Sequence, residues 1–148
     1  VAATEGGSTT FEKLGIRLPE VATNLRASNI SGPNALQCAA FRPLADGRDA
    51  ILHAHTGSGK TLAFLLPLVE QLDASSREPQ ALVLSPSREL AFQIYRVANS
   101  LLAGSPFRAG VVAGGANPNR QVDKLRKEKP QLLVGTAGGG GGGGDGGG

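Results

Sequence analysis

The run Ala54-His55-Thr56-Gly57-Ser58-Gly59-Lys60-Thr61 concentrates the groups best able to hold an anion. Gly57 and Gly59 let the backbone turn tightly enough to aim successive N–H groups at one point, and a helix starting at Lys60 would add the positive end of its dipole. The pattern is that of a phosphate-binding loop. Thr56, Gly57, Ser58 and Gly59 form the cradle, Lys60 reaches the β- and γ-phosphates of a nucleotide, and the Thr61 hydroxyl is placed to ligate Mg²⁺. Lys60 and Thr61 are therefore the candidate catalytic residues, and Thr61 the candidate metal contact. The strict pattern opens on Gly, whereas this chain has Ala54, which is tolerable where the backbone angle is ordinary.

A loop of this kind needs a strand before it and a helix after it, and the flanking sequence predicts both. Residues 50–54, 81–85, 110–113 and 132–135 are short continuous apolar runs, the pattern of strands buried on both faces. Helical stretches over about 60–71, 88–102 and 119–127 separate them. Alternation of this kind predicts right-handed βαβ units and a mostly parallel sheet covered on both sides. Upstream, Leu18, Val21, Ala22 and Leu25 recur at helical spacing behind Pro19, and a second short helix is predicted over 35–44 with Leu36, Ala39, Ala40 and Phe41 as its apolar face.

Composition bounds the function classes. The 148 residues carry 15 Lys and Arg against 12 Asp and Glu, a formal charge of +3 that permits an anionic partner without naming one. No stretch approaches the roughly 20 apolar residues of a membrane span, so no membrane partner is expected. The single cysteine, Cys38, excludes an internal disulfide framework, and with two histidines it offers no zinc spacing. An intracellular, reducing compartment fits, cytoplasm or nucleus, with plastid or mitochondrion as alternatives. Residues 1–10 read as a flexible leader before the first apolar anchor, Phe11. Residues 138–148 are glycine throughout except for Asp145, and that tail reads as disordered or as an artefact, since it cannot build a core.

Beyond the loop, Asn29-Ile30-Ser31-Gly32-Pro33-Asn34-Ala35-Leu36-Gln37 precedes it, and Ser85-Pro86-Ser87-Arg88-Glu89-Leu90-Ala91-Phe92-Gln93, Gly114-Gly115 and Val134-Gly135-Thr136 follow it. In that order, the set resembles the DEAD-box RNA helicases from Phe11 to Thr136. The first segment resembles the Q motif, with Asn29 and Asn34 where the family usually has Gly and Thr. The second resembles the Pro-Thr-Arg-Glu-Leu-Ala motif, with Ser87 for Thr. The third resembles the family's Gly-doublet, and Thr136 opens a Thr-Pro-Gly-Arg motif whose Pro and Arg are absent here.

The resemblance implies a three-layer RecA-like α/β P-loop domain over residues 11–137, incomplete at its C-terminus. It implies ATP and Mg²⁺ as cofactors, with Phe11 stacking on the adenine and Gln37 exchanging hydrogen bonds with it, as an amide can. It also implies RNA as a partner, held through phosphates and sugars by Pro86, Ser87, Arg88, Gly114, Gly115 and Thr136. The parent would be an ATP-dependent RNA helicase that unwinds or remodels short duplexes, closing ATP against a second RecA-like domain absent from this chain. A monomer is expected. Asp145, alone among glycines, is not the family's Asp-Glu-Ala-Asp box, so the isolated chain is expected to be inactive in hydrolysis. The rival readings are a non-enzymatic ATP- or RNA-binding fragment and a superfamily-2 P-loop ATPase acting on DNA. The basic segment 120–129 reads as a solvated helix face, and His53 and His55 carry no catalytic role.

Overall fold

A computed structural model of the protein describes residues 9–137. The leader's residues 1–8 and the polyglycine tail 138–148 lie outside the described residues. The described chain divides into two compact units. One comprises the residues up to Asp73 with Ser100–Pro106, and the other Ala74–Asn99 with the residues from Phe107 onward.

The first unit is helical, with α1 (Phe11–Leu14), α2 (Pro19–Ala27), α3 (Ala35–Ala45) and α4 (Lys60–Glu70). Pro19 opens α2 at a position where its missing N–H costs nothing. Val21, Ala22 and Leu25 of α2, Ala40 and Phe41 of α3, and Ala63, Leu65, Leu66 and Val69 of α4 form the core. Leu36 is only half-buried and Ala39 is exposed, so the face of α3 that packs inward is narrower than its spacing predicts, and it includes Gln37. Glu70 is a buried carboxylate, and such a group must be paired. Arg17 Nε meets its Oε2 at 3.2 Å, while the Leu18 N–H donates to its Oε1 at 3.4 Å, tying the start of α2 to the end of α4.

The second unit contains β1 (Ala81–Ser85), α5 (Arg88–Leu101, of which the residues to Asn99 belong to this unit), β2 (Ala109–Val112), α6 (Pro118–Glu128) and β3 (Leu132–Thr136). Its three strands form a parallel sheet in the order β1-β3-β2, with Ser85 opposite Thr136 and Val112 opposite Gly135. The crossover from β1 to β2 passes over β3 and that from β2 to β3 returns, an order for which crossovers of the usual right hand leave their helices on opposite faces. A Cβ on Gly110 would lie 2.7 Å from Pro130 Cγ and 3.2 Å from Leu125 Cδ2, which puts the end of α6 against the face carrying Gly110 and Leu133.

Two strand expectations need correction. Residues 50–54 form no strand, and Ile51 is 97% exposed, because a strand exists only through a neighbour's backbone groups and no described residue pairs with this run. Nor is β1 buried on both faces: Leu82 and Leu84 are 61% and 64% exposed. An apolar run predicts burial only where another element lies over it.

Candidate functional site

The phosphate loop ends where α4 begins. Gly59 caps that helix in the left-handed conformation at φ +78°, and Gly57 has φ +83°. Gly59 is required twice over. A Cβ there would be strained by that φ and would stand 2.6 Å from Gln37 Nε2 and 2.8 Å from Asn34 Nδ2. Those amides approach because they hold the loop. Asn34 Nδ2 donates to the Ser58 carbonyl at 2.8 Å, and Gln37 Nε2 donates to the Gly59 carbonyl at 3.3 Å.

The other ends of the same amides cap α3. Asn34 Oδ1 accepts from the Gln37 N–H at 2.9 Å, and Gln37 Oε1 accepts from the Asn34 N–H at 3.0 Å. This reciprocal capping box is written into the Asn34-x-x-Gln37 spacing. What the spacing does not show is that both side chains also reach the loop. Asn34, where the family usually has Thr, thus has a role that the sequence reading missed.

Lys60 Nζ donates to the Ala54 carbonyl at 2.7 Å, folding across the loop's own start. Ser58 Oγ is buried with no hydrogen-bond partner among the described residues, and the first N–H groups of α4 have no side-chain cap. A buried hydroxyl without a partner costs free energy unless something completes it, and uncapped helix N–H groups suit an anion. The residues present therefore fit a phosphate. Thr56 is exposed in the turn and Thr61 is half-buried in the first turn of α4. Among the described residues no group of three or more His, Cys, Asp and Glu side chains could hold a metal ion.

The two residues expected to contact the base are placed differently. Gln37 is 4% exposed beside the loop, and its two hydrogen bonds leave one amide hydrogen and one acceptor lone pair unspent. Phe11 is 1% exposed in the core, so in this conformation its ring packs and presents no open face.

In the second unit the candidate RNA-binding residues meet at the carboxyl ends of the strands. The Arg88 guanidinium lies against Gly115, where a Cβ would stand 2.7 Å from its Nη1 and where φ is +84°. The Gly114 N–H donates to Thr136 Oγ1 at 3.1 Å. Gln121 of α6, which no local pattern marks, clamps the residue before the doublet: its Oε1 accepts from the Ala113 N–H at 2.9 Å and its Nε2 donates to the Ala113 carbonyl at 3.1 Å. Ser87 Oγ accepts from the Leu90 N–H at 3.2 Å and so caps the start of α5, with Pro86 exposed beside it. An exposed guanidinium above a side-chain-free backbone can take a phosphate of a nucleic-acid strand, since nothing projects between them.

The chain is similar to proteins of known family. The chain is 44% identical over 115 residues to the probable ATP-dependent RNA helicase YfmL of Bacillus subtilis, covering 78% of this chain and 30% of that protein. It is 40% identical over 136 residues to the ATP-dependent RNA helicase HAS1 of Meyerozyma guilliermondii, covering 89% of this chain and 24% of that protein. With the mitochondrial DEAD-box ATP-dependent RNA helicase 47 of Arabidopsis thaliana it shares 41% over 145 residues, covering 87% and 26% of the two. The chain thus spans less than a third of the length of these curated relatives.

Among solved structures, a DEAD box protein from the hyperthermophile Methanococcus jannaschii superposes with a TM-score of 0.75 at 26% identity, covering 86% of this chain and 34% of that one. Mss116p, solved bound to ssRNA and AMP-PNP, shares the fold with a TM-score of 0.79 at 23% identity, covering 93% and 30%. The fold is accordingly the RecA-like α/β fold of these proteins. No helix among the described residues is long and apolar enough to cross a membrane. The family model for the DEAD/DEAH box helicases matches residues 34–139, which take in Gln37, the phosphate loop, the Arg88 segment and the glycine doublet, and the chain belongs to that family.

Proposed function

We propose that this chain is the ATP- and RNA-gripping part of an ATP-dependent RNA helicase that separates or remodels short RNA duplexes. The observation that carries the reading is the phosphate loop: a left-handed Gly59 at the start of α4, a buried Ser58 hydroxyl without a partner, and a Lys60 ammonium resting on a single carbonyl. The names of the relatives point the same way.

The residues divide the work. Backbone N–H groups at the start of α4 and the Ser58 hydroxyl would receive phosphate oxygens, Lys60 would exchange the Ala54 carbonyl for them, and Thr61 would contribute its hydroxyl to Mg²⁺. MgATP, when bound, supplies the triphosphate whose cleavage drives the cycle. Asn34 and Gln37 hold the loop carbonyls so that the N–H groups keep a common aim, and the unspent valences of Gln37 remain for the adenine. Arg88 takes an RNA phosphate over Gly115, with Gly114 held by Thr136. Contacts of this kind are salt-dependent and nearly blind to sequence. Arginines from a second RecA-like domain would complete the site, and such groups are worth about 10³ to 10⁵ in rate.

The test is nucleotide binding by the 148-residue chain, followed with a fluorescent ATP analogue. Lys60→Ala is expected to weaken binding by about tenfold or more, the loss of one hydrogen bond between charged groups. Unchanged binding would overturn the phosphate-loop assignment.

A further inference from the structure

The Arg88 site does not stop at the end of the sheet. Along α5, a shallow cavity of about 290 Å³ is lined by Arg88, Glu89, Phe92, Gln93 and Arg96, all in the second unit. Arg88, Phe92 and Arg96 are spaced one helical turn apart and share this surface. Phe92 is 37% exposed, as is its neighbour Leu90 at 38%, while Ala91, Ile94 and Ala98 on the other side of the helix are buried. Its position therefore needs another account than core packing. Neither guanidinium forms an ion pair among the described residues, and the lining's one carboxylate, Glu89, leaves the patch cationic.

A part-exposed aromatic ring with a guanidinium one helical turn to either side and a side-chain amide next to it in the same cavity has the chemistry of a stacking platform for an unpaired nucleobase. The ring offers a π-face that any base can use, and the cations flank it at the spacing of adjacent turns, where they can meet the backbone phosphates on either side. Gln93 adds a donor and an acceptor for a base edge. An apolar peptide side chain would use the ring but would leave both guanidiniums without counter-charge.

We propose that Phe92 stacks on a base of single-stranded RNA whose backbone is held at Arg88, with Arg96 meeting a neighbouring phosphate, so that the RNA-binding surface extends along the first turns of α5. The inference rests on the RNA reading above and adds a base-stacking residue to a surface otherwise built from phosphate contacts.

The experiment measures affinity of the full chain for a short single-stranded RNA, and for the same RNA carrying abasic positions, by fluorescence anisotropy. Phe92→Ala is expected to weaken binding of the intact RNA by about 5- to 150-fold, the range of one lost base–aromatic stack. Phe92→Tyr should retain affinity, and abasic RNA should bind wild type and Phe92→Ala alike. An unchanged affinity for Phe92→Ala overturns the proposal, as does an equal loss on intact and abasic RNA, which would mark a structural effect. Arg88→Ala separates the two readings. If it weakens binding while Phe92→Ala does not, the platform fails and the phosphate site stands; if neither substitution matters, the RNA reading itself fails.

Discussion

The phosphate loop and the carboxyl end of the sheet are both built to meet phosphate, yet they are held in opposite ways. At the loop, glycine backbone is pinned by side chains from elsewhere in its unit: the carbonyls of Ser58 and Gly59 accept from Asn34 and Gln37, and Gly59 has no room for a Cβ. At the sheet end, the backbone of Ala113 and Gly114 is held by Gln121 and Thr136, while Arg88, the group that would bind, is exposed and has no ion-pair partner among the described residues. In the first region the binding groups are also structural groups. In the second they are largely separate. Substitutions should therefore cost stability at the loop and spare it at Arg88.

Gly59→Ala is the hardest test of that contrast. It combines a strained φ with contacts below 3.0 Å, so a loss of about 1–3 kcal/mol is expected, read from the midpoint of urea denaturation. A stable variant would mean that the amides of Asn34 and Gln37 yield easily and that the loop is not pinned. Gln37→Ala should come next. It removes a nearly buried amide and leaves the Gly59 carbonyl and the Asn34 N–H without these partners, a cost of about 1–2 kcal/mol in the same assay.

The nucleotide side of that variant sharpens the comparison. A larger loss for ATP than for GTP would show that the unspent valences of Gln37 read the base, and an equal loss would leave it as a latch alone. The smallest effect on folding belongs to Arg88→Ala, whose stability should stay within about 0.5 kcal/mol of wild type, as at other exposed sites. A larger loss would mean that its packing against Gly115 braces the sheet end, and the two regions would then be alike.

Much of the site was legible because it depends on short-range order. The glycine turn and the Lys60 start of α4 follow from residues within a few positions of one another, and the capping box between Asn34 and Gln37 is equally local, although it was not read from the sequence. Strands β1, β2 and β3 were readable from their apolar runs to within a residue at their ends. The helix at Phe11–Leu14 was not, since four residues are too few to show a period. Residues 50–54 have the same apolar character as β1 but form no strand, and Leu82 and Leu84 carry a buried-strand pattern while remaining exposed.

The amino-acid sequence by itself determined the chemistry on offer and its order along the chain: a phosphate loop, a downstream arginine, a glycine doublet. Only the tertiary structure decided how those groups are used. It buried Phe11, sent the amides of Asn34 and Gln37 into the loop they precede by more than 20 positions, and laid Arg88 on Gly115. The division has a physical cause. Turn geometry and helix capping are set by neighbours in sequence, whereas burial, strand pairing and the second hydrogen bond of an amide depend on which distant segment packs beside it.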